Sequence, residues 1–145
     1  MAEDPGPRRR RIVVVEDDDN TALIVRYNCE AAGYRVDCIA DGAAAAAAIP
    51  LDPPDLVVLD WMLPGISGIE LLRRLRGCVS TRHIPVVLVT ARAEVVDRAY
   101  AMASGADEVL PKSITVGALM ACISGLLSPD RRSGCSVGAD RGAMA

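Results

Sequence analysis

The segment Leu56-Val57-Val58-Leu59-Asp60 (LVVLD) decides the fold, because four consecutive apolar residues end at a single carboxylate. A short, β-branched run without polar alternation is typical of a parallel strand that is covered on both faces. Residues 12–15 and 85–89 have the same character, whereas residues 34–40 alternate between apolar and polar side chains and indicate an edge strand. Glu108–Pro111 is a weaker candidate for a fifth strand.

Helical patterns separate these runs, and turn or capping residues mark where they stop. Gly33 and Gly105 follow two of the predicted helices, and Ser67 begins a capping box that ends at Glu70. The predicted helices cover residues 22–32, 43–49, 67–77, 94–104 and 115–127. Five strands alternating with five helices predict an α/β fold, a (βα)5 doubly wound parallel sheet in a flavodoxin-like three-layer sandwich.

The 145 residues correspond to one domain with two tails. Residues 1–10 are rich in proline and arginine, and residues 128–145 are rich in serine, glycine and charged residues. Neither stretch has apolar periodicity. We therefore predict a basic N-terminal tail at 1–10, a folded domain at 11–127 and a C-terminal tail at 128–145.

The composition excludes several functional classes. The net charge is −3, so we predict no direct nucleic-acid binding, which needs a concentrated basic patch. No apolar run approaches the ~18–20 residues of a membrane helix, and the run after the N-terminal arginines ends at Glu16, too early for a signal peptide. Five cysteines without a C-x-x-C pair favour reduced thiols, and a single histidine excludes a multi-histidine metal site. We expect a soluble cytoplasmic protein that does not bind membranes.

Carboxylates stand where two of the predicted strands end. Glu16 and Asp17 follow the first strand, and Asp60 ends the third. If these strands are neighbours, the three carboxylates converge at the edge where ligands of open α/β sheets bind. Crowded like charges are costly unless a cation lies among them, and oxygen ligands with room for water suit Mg²⁺.

Thr90 follows the fourth strand and Lys112 the fifth, where a hydroxyl and an ammonium group suit phosphoryl oxygens. Lys112 is also the only lysine among sixteen basic residues. A carboxylate beside a metal site and such donors is a phosphoryl-acceptor arrangement. The simpler alternatives are that the aspartates at 17–19 cap the first helix and that Lys112 is an ordinary surface residue.

The segments VVVEDDD, LVVLDWMLPGISG, PVVLVTAR and GADEVLPK resemble, in order and spacing, a response-regulator receiver domain. The resemblance covers about residues 10–127. Within this CheY-like family, the sequence is most similar to the OmpR/PhoB-like branch. The resemblance implies that Asp60 accepts a phosphoryl group from a histidine kinase or phosphotransfer protein and that a conformational change carries the signal. Such a chain is not an enzyme, although it assists its own phosphorylation and dephosphorylation.

The resemblance also implies a ligand set for Mg²⁺. Asp17 and Asp60 would coordinate the ion directly, together with the backbone carbonyl of Met62, and Glu16 would act through a water molecule. Thr90 would hydrogen-bond the phosphoryl group.

Lys112 would form an ion pair with the phosphoryl group, but the sequence departs from the family at two nearby positions. Ser113 stands where a proline usually follows the lysine in a cis peptide, and Val109 stands where the fifth strand usually has an aromatic residue. We predict a trans Lys112–Ser113 bond, because a cis bond before a non-proline residue costs about 2.5–4 kcal/mol. The contact between Lys112 and Asp60 is then expected to be lengthened or absent.

Two helices carry surplus apolar residues that indicate contact surfaces. On the first helix we assign a core stripe and, off it, an exposed pair, Leu23 and Tyr27. The pair lies on the face that kinases and phosphotransfer proteins dock on in the family; the simpler alternative is that its exposure is incidental. The stripe consists of Thr21, Ile24, Val25, Cys29 and Ala32. The fifth helix contains no charged residue. We therefore predict a homodimer through the fourth helix, fifth strand and fifth helix that is apolar, precedes phosphorylation and is insensitive to salt.

Other functions remain open on the sequence alone. The chain is expected to be a stand-alone receiver, or else the receiver fragment of a DNA-binding transcriptional regulator. A haloacid-dehalogenase-type phosphatase also uses an aspartate nucleophile and Mg²⁺, but it places D-x-D at the end of its first strand, where this chain has E-D-D-D. A flavodoxin-like nucleotide binder needs a phosphate loop of small or hydroxyl residues, which an acidic loop opposes.

Overall fold

A computed structural model describes residues 9–91 and 95–128. Most of the two predicted tails and the predicted start of the fourth helix at residue 94 lie outside the described residues. The five strands are β1 (Arg11–Val15), β2 (Arg35–Ile39), β3 (Leu56–Asp60), β4 (Val86–Thr90) and β5 (Glu108–Pro111). The five helices are α1 (Asp19–Ala31), α2 (Gly42–Ala48), α3 (Gly68–Arg76), α4 (Val95–Ala103) and α5 (Val116–Leu127), with a 3₁₀ turn at Ile49–Leu51.

All strand pairs of the sheet are parallel, and the strand order is β2-β1-β3-β4-β5. The predicted (βα)5 doubly wound sheet is therefore confirmed. The chain order reverses between β1 and β3, which makes this pair the switch point where ligands of such sheets bind. The edge position predicted for the strand at 34–40 is that of β2.

Side-chain caps set where the helices begin. Asp41 and Ser67 accept hydrogen bonds from the backbone N–H groups of Ala44 and Glu70, and the sequence pattern predicted the cap at Ser67. α1 begins three residues before the predicted residue 22, because the carboxylate of Asp18 caps it. Among the described residues, no helix combines the length and the apolar character that a membrane span requires.

The sheet separates two apolar cores, since successive strand residues face opposite sides. One core lies between the sheet and α2, α3 and α4, and the other lies between the sheet and α1 and α5. The first contains Val13, Val15, Val57, Leu59, Trp61, Leu71, Leu72 and Ala101. The second contains Ile12, Val14, Val58, Val25, Cys29, Leu119 and Ile123.

The stripe predicted on the first helix is wrong at two positions. Ile24 is 51% exposed and Ala32 is exposed at the C-terminal cap, whereas Ala22, Val25 and Cys29 are buried. The buried residues follow a spacing of three and four, which is the narrow line along which a helix meets a flat sheet.

The expected exposed pair on α1 is present, with Leu23 64% and Tyr27 70% exposed. Together with Ile24, these residues form one exposed apolar surface on α1. On α5, Leu119, Ile123 and Leu127 are buried, and the residues between them are half-buried or exposed, as the surplus of apolar residues predicted.

Candidate functional site

Three carboxylates meet at the carboxyl edge of the sheet because β1 and β3 are neighbours. Glu16 follows β1 directly, and Asp60 is the last residue of β3. Each of Glu16, Asp17 and Asp60 offers a carboxylate oxygen, and these three oxygens lie within 4.8 Å of one another. Asp17 is exposed, whereas Glu16 and Asp60 are only 6% and 3% exposed. The cluster therefore has a buried floor and an open side that faces solvent.

Lys112 lies over two of these carboxylates. Its Nζ donates to Glu16 Oε2 at 3.2 Å and to Asp60 Oδ2 at 3.3 Å. No peptide bond among the described residues is cis, so the Lys112–Ser113 bond is trans, as predicted.

The contact of Lys112 with Asp60 is longer than the ~2.7–2.9 Å of a strong charge-assisted bond. The contact is present but long, so of the two expected outcomes, a lengthened or an absent contact, the structure shows the first. The reason lies in the backbone, since the N–H of Lys112 donates to the carbonyl of Thr90 at 2.9 Å and so extends the pairing of β5 with β4 as far as the pocket.

Burial, neighbouring charges and hydrogen bonds together shift the pKa values of Glu16 and Lys112. Burial raises the pKa of Glu16, and the negative charge of Asp60 adds to this, while hydrogen bonds from the N–H of Asp18 and from Lys112 oppose it. Burial alone would lower the pKa of Lys112, but its hydrogen bond to Glu16 and the charges of Asp60 and Glu16 outweigh burial and raise it. The site contains three carboxylates and one ammonium group, which contacts two of them, so it retains an excess of negative charge.

The loop after β3 holds the carboxylate of Asp60 in place. The N–H of Met62 donates to Asp60 Oδ1 at 3.1 Å. Gly68, at the start of α3, leaves no room for a side chain, because a Cβ atom there would lie 2.2 Å from the carbonyl oxygen of Asp60. Sequence reasoning singled out the carbonyl of Met62 but missed its N–H, and it missed the close approach of Gly68. The only signal for Gly68 was a glycine in the first turn of a capped helix.

Thr90 occupies the same edge of the sheet. It is the last residue of β4 and is fully buried. Its neighbour Val89 pairs with Asp60, so Thr90 lies one position beyond the end of β3.

The alternative that the aspartates at 17–19 only cap the first helix holds for Asp18. The carboxylate of Asp18 accepts hydrogen bonds from the N–H and the hydroxyl of Thr21 at 2.9 and 2.6 Å. Hydrogen bonding by the Thr21 hydroxyl and N–H lowers the pKa of Asp18. Asp19 is the first residue of α1. Capping therefore occupies Asp18 and leaves Glu16 and Asp17 to the cluster.

The donor set fits Mg²⁺. All of its ligand atoms are carboxylate oxygens, and the open side leaves space for the water molecules that Mg²⁺ retains, whereas Zn²⁺ favours histidine and cysteine. Within residues 9–91 and 95–128, no second group of three such side chains comes this close together.

A doubly wound parallel sheet with an acidic cluster and a lysine at its switch point defines the receiver class of signalling domain. Residues 12–124 match the family model of the response regulator receiver domain. The chain belongs to this family, and it is a receiver domain of the two-component response regulators.

The curated relatives are longer than this chain. It is 44% identical over 106 residues to the phosphate regulon transcriptional regulatory protein PhoB of Rhizobium meliloti, an alignment that covers 73% of this chain and 47% of PhoB. It is 39% identical over 95 residues to the response regulator MprA of Mycobacterium tuberculosis, covering 66% of this chain and 40% of MprA. The chain thus spans less than half the length of these relatives.

Solved receiver domains share the fold over nearly their whole length. The BeF3-activated receiver domain of Klebsiella pneumoniae RstA is 30% identical, with a TM-score of 0.76, and the match covers 81% of this chain and 98% of that one. The receiver domain of a sensor histidine kinase from Pseudomonas aeruginosa is 25% identical, with the same TM-score and coverage of 83% and 98%. That structure has a magnesium ion coordinated in its active site cleft.

Proposed function

We propose that this receiver domain accepts a phosphoryl group on Asp60 from a histidine kinase or phosphotransfer protein. One observation carries the proposal: a buried carboxylate at the switch point of the sheet shares a lysine with a second carboxylate and lies within 4.8 Å of a third. Glu16, Asp17 and Asp60, with the backbone carbonyl of Met62, would hold Mg²⁺. The proposed location of the protein is the cytoplasm.

In the proposed reaction an oxygen of Asp60 attacks phosphorus, the new O–P bond forms, and the bond from phosphorus to the donor breaks. The electron pair of the broken bond stays with the leaving group. This group is the histidine nitrogen when a phosphohistidine is the donor, and acetate when acetyl phosphate is the donor. When bound, Mg²⁺ neutralises phosphoryl charge. The N–H of Met62 orients the Asp60 carboxylate, and Lys112 and Thr90 supply donors for the phosphoryl oxygens.

Intact-mass spectrometry tests the acceptor. The wild-type chain, incubated with acetyl phosphate and Mg²⁺, is expected to gain one phosphoryl group, and removing the ion with EDTA is expected to abolish the gain. Asp60→Asn is expected to gain none, while the matched control Asp19→Asn, which alters a carboxylate outside the cluster, labels normally. Labelling of Asp60→Asn would refute the assignment and move the nucleophile to Asp17 or Asp18.

The exposed apolar surface on α1, formed by Leu23, Ile24 and Tyr27, supports a docking role for the phosphodonor protein. α1 begins three residues after Glu16, so the helix that carries this surface starts at the acidic cluster. Leu23→Ala and Tyr27→Ala are expected to slow transfer from the cognate kinase without slowing labelling by acetyl phosphate. Unchanged transfer from the kinase would contradict this role.

The face formed by α4, β5 and α5 supports apolar self-association. Asp107 and Glu108 are already engaged within the chain, by Arg76 at 2.9 Å and Arg98 at 2.7 Å, and α5 contributes no charge. We expect light scattering to detect a dimer that is present without beryllofluoride and persists in high salt. A monomer that dimerises only with beryllofluoride and dissociates in salt would show that ion pairs between subunits drive the association.

A second candidate is the receiver portion of a DNA-binding transcriptional regulator. It is favoured by the similarity to PhoB, a transcriptional regulatory protein more than twice as long as the matched segment. The genomic reading frame downstream of Ala145 distinguishes this candidate from a stand-alone receiver.

A further inference from the structure

The buried residue of β5 is not aromatic, but two other aromatic side chains, those of Trp61 and Tyr100, stack on each other. Val109 is fully buried on β5. Trp61, which follows Asp60 directly, stacks on Tyr100 of α4 with 6.3 Å between ring centroids and 28° between the ring planes. An aromatic contact therefore joins the residue after the acceptor to the fourth helix.

A third side chain ties this pair to α3. The guanidinium carbon of Arg73 lies 5.2 Å from the centroid of the Tyr100 ring, within the range of a cation–π interaction. The same guanidinium donates a hydrogen bond to the Tyr100 hydroxyl. Tyr100 is 45% exposed, so these contacts, rather than deep burial, fix the position of its ring.

The backbone links Trp61 firmly to the acceptor. The Trp61 side chain is 5% exposed and packs in the core shared with α3 and α4. Its carbonyl accepts a hydrogen bond from the N–H of Gly68 at 2.8 Å, and its N–H donates to Val89 at 3.3 Å. Two consecutive residues thus connect two regions: Asp60 reaches the acidic cluster, and Trp61 reaches the core shared with α3 and α4.

We infer that Trp61, Tyr100 and Arg73 couple the phosphorylation of Asp60 to the position of α4. The inference rests on the proposed function, because it needs Asp60 to change state. Tyr100 is a positioning residue here and touches no reacting group. Aromatic pairs of this kind are worth about 2- to 12-fold in an equilibrium constant, which is enough to bias two arrangements of one helix.

Hydrogen exchange in α4 tests the coupling. Amide exchange across Val95–Ala103 is measured with Mg²⁺ alone and with Mg²⁺ and beryllofluoride, in the wild type and three variants. Tyr100→Leu removes the ring, and Tyr100→Phe keeps the ring without its hydroxyl. Tyr34→Leu is the matched control, because Tyr34 packs against the core on the other side of the sheet. Intact-mass labelling by acetyl phosphate is recorded for each chain.

In the wild type and in Tyr34→Leu, adding beryllofluoride is expected to change the exchange rate in α4 by about fivefold or more, a typical coupling between sites. Tyr100→Leu is expected to label normally and to lose most of this change, and Tyr100→Phe to keep most of it. A full α4 response in Tyr100→Leu, or loss of labelling in that variant, would overturn the coupling while leaving the proposed function intact. A wild-type chain that gains no phosphoryl group would overturn both.

Discussion

Replacing Lys112 with methionine is expected to make the free energy of unfolding depend more strongly on Mg²⁺. The ammonium group lies 3.2 Å from Glu16 and 3.3 Å from Asp60, and these carboxylates are nearly buried. Methionine fills similar space but carries no charge. In the variant, three carboxylates remain together without a cation from the protein.

The size of the effect follows from the exposure of the groups. Exposed ion pairs contribute about 0–1 kcal/mol, whereas removing one partner of a buried pair costs about 3–5 kcal/mol. The Lys112 side chain is 33% exposed and the Glu16 and Asp60 side chains are 6% and 3% exposed, which places this group between the two cases. We expect Lys112→Met to lose about 2 kcal/mol of unfolding free energy in EDTA.

Mg²⁺ is expected to reverse much of that loss. Removing a competing positive charge strengthens Mg²⁺ binding, and tenfold tighter binding corresponds to about 1.4 kcal/mol. Urea denaturation in EDTA and in saturating Mg²⁺ measures both quantities.

The matched control is Arg26→Met, which removes an exposed ion pair with Glu30 of 3.2 Å and is expected to cost less than about 0.5 kcal/mol under either condition. If Lys112→Met is as stable as the wild type in EDTA, or gains less from Mg²⁺ than the wild type does, the electrostatic account of the site is refuted.

Two further predictions concern cysteine reactivity and the tight turn after β3. Hydrogen bonding by the Ser80 hydroxyl lowers the pKa of Cys78 from its usual 9.0, and burial raises that of Cys29 to about 11. Iodoacetamide at pH 8 is therefore expected to alkylate Cys78 well before Cys29 in the native protein, as read by peptide mass mapping; equal rates would contradict this. Gly68→Ala is expected to cost about 3 kcal/mol of unfolding free energy, since the added Cβ meets backbone at 2.2 Å. Gly125→Ala, which meets nothing within 4 Å inside a helix, is expected to add up to about 1 kcal/mol, and similar urea midpoints for the two variants would disprove the close approach.

The sheet and the acidic cluster could be predicted because their signals are local. The apolar run at residues 56–59 predicts a strand, and Asp60 places a carboxylate at its end. The pairing of β1 with β3 in a parallel sheet then brings Asp60 beside Glu16 and Asp17. The start of α1 was harder to predict, because three consecutive aspartates compete to cap it and only the path of the chain selects Asp18.

Contacts between distant segments left no local signal. Trp61 and Tyr100 are 39 positions apart, and no spacing rule relates a residue after a strand to the middle of a later helix. The exposure of Ile24 depends on the line along which α1 crosses the sheet, which a helical pattern alone does not specify. The contact of Lys112 with Asp60 depends on the hydrogen bond from the backbone N–H of Lys112 to the carbonyl of Thr90. The trans Lys112–Ser113 bond, by contrast, was predicted correctly from the sequence.

The division of the apolar interior by the sheet has a consequence for how the domain can be altered. Val14 and Val58 pack toward α1 and α5, whereas Val13 and Leu59 pack toward α2, α3 and α4. Substitutions on opposite sides share no side-chain contacts, so their effects on stability should add. The helix proposed to bind a phosphodonor protein, α1, and the helix proposed to respond to Asp60, α4, thus pack against different cores. Substitutions in the core behind α1 are therefore expected to leave the packing behind α4 unchanged, so the two sides of the domain can be varied independently.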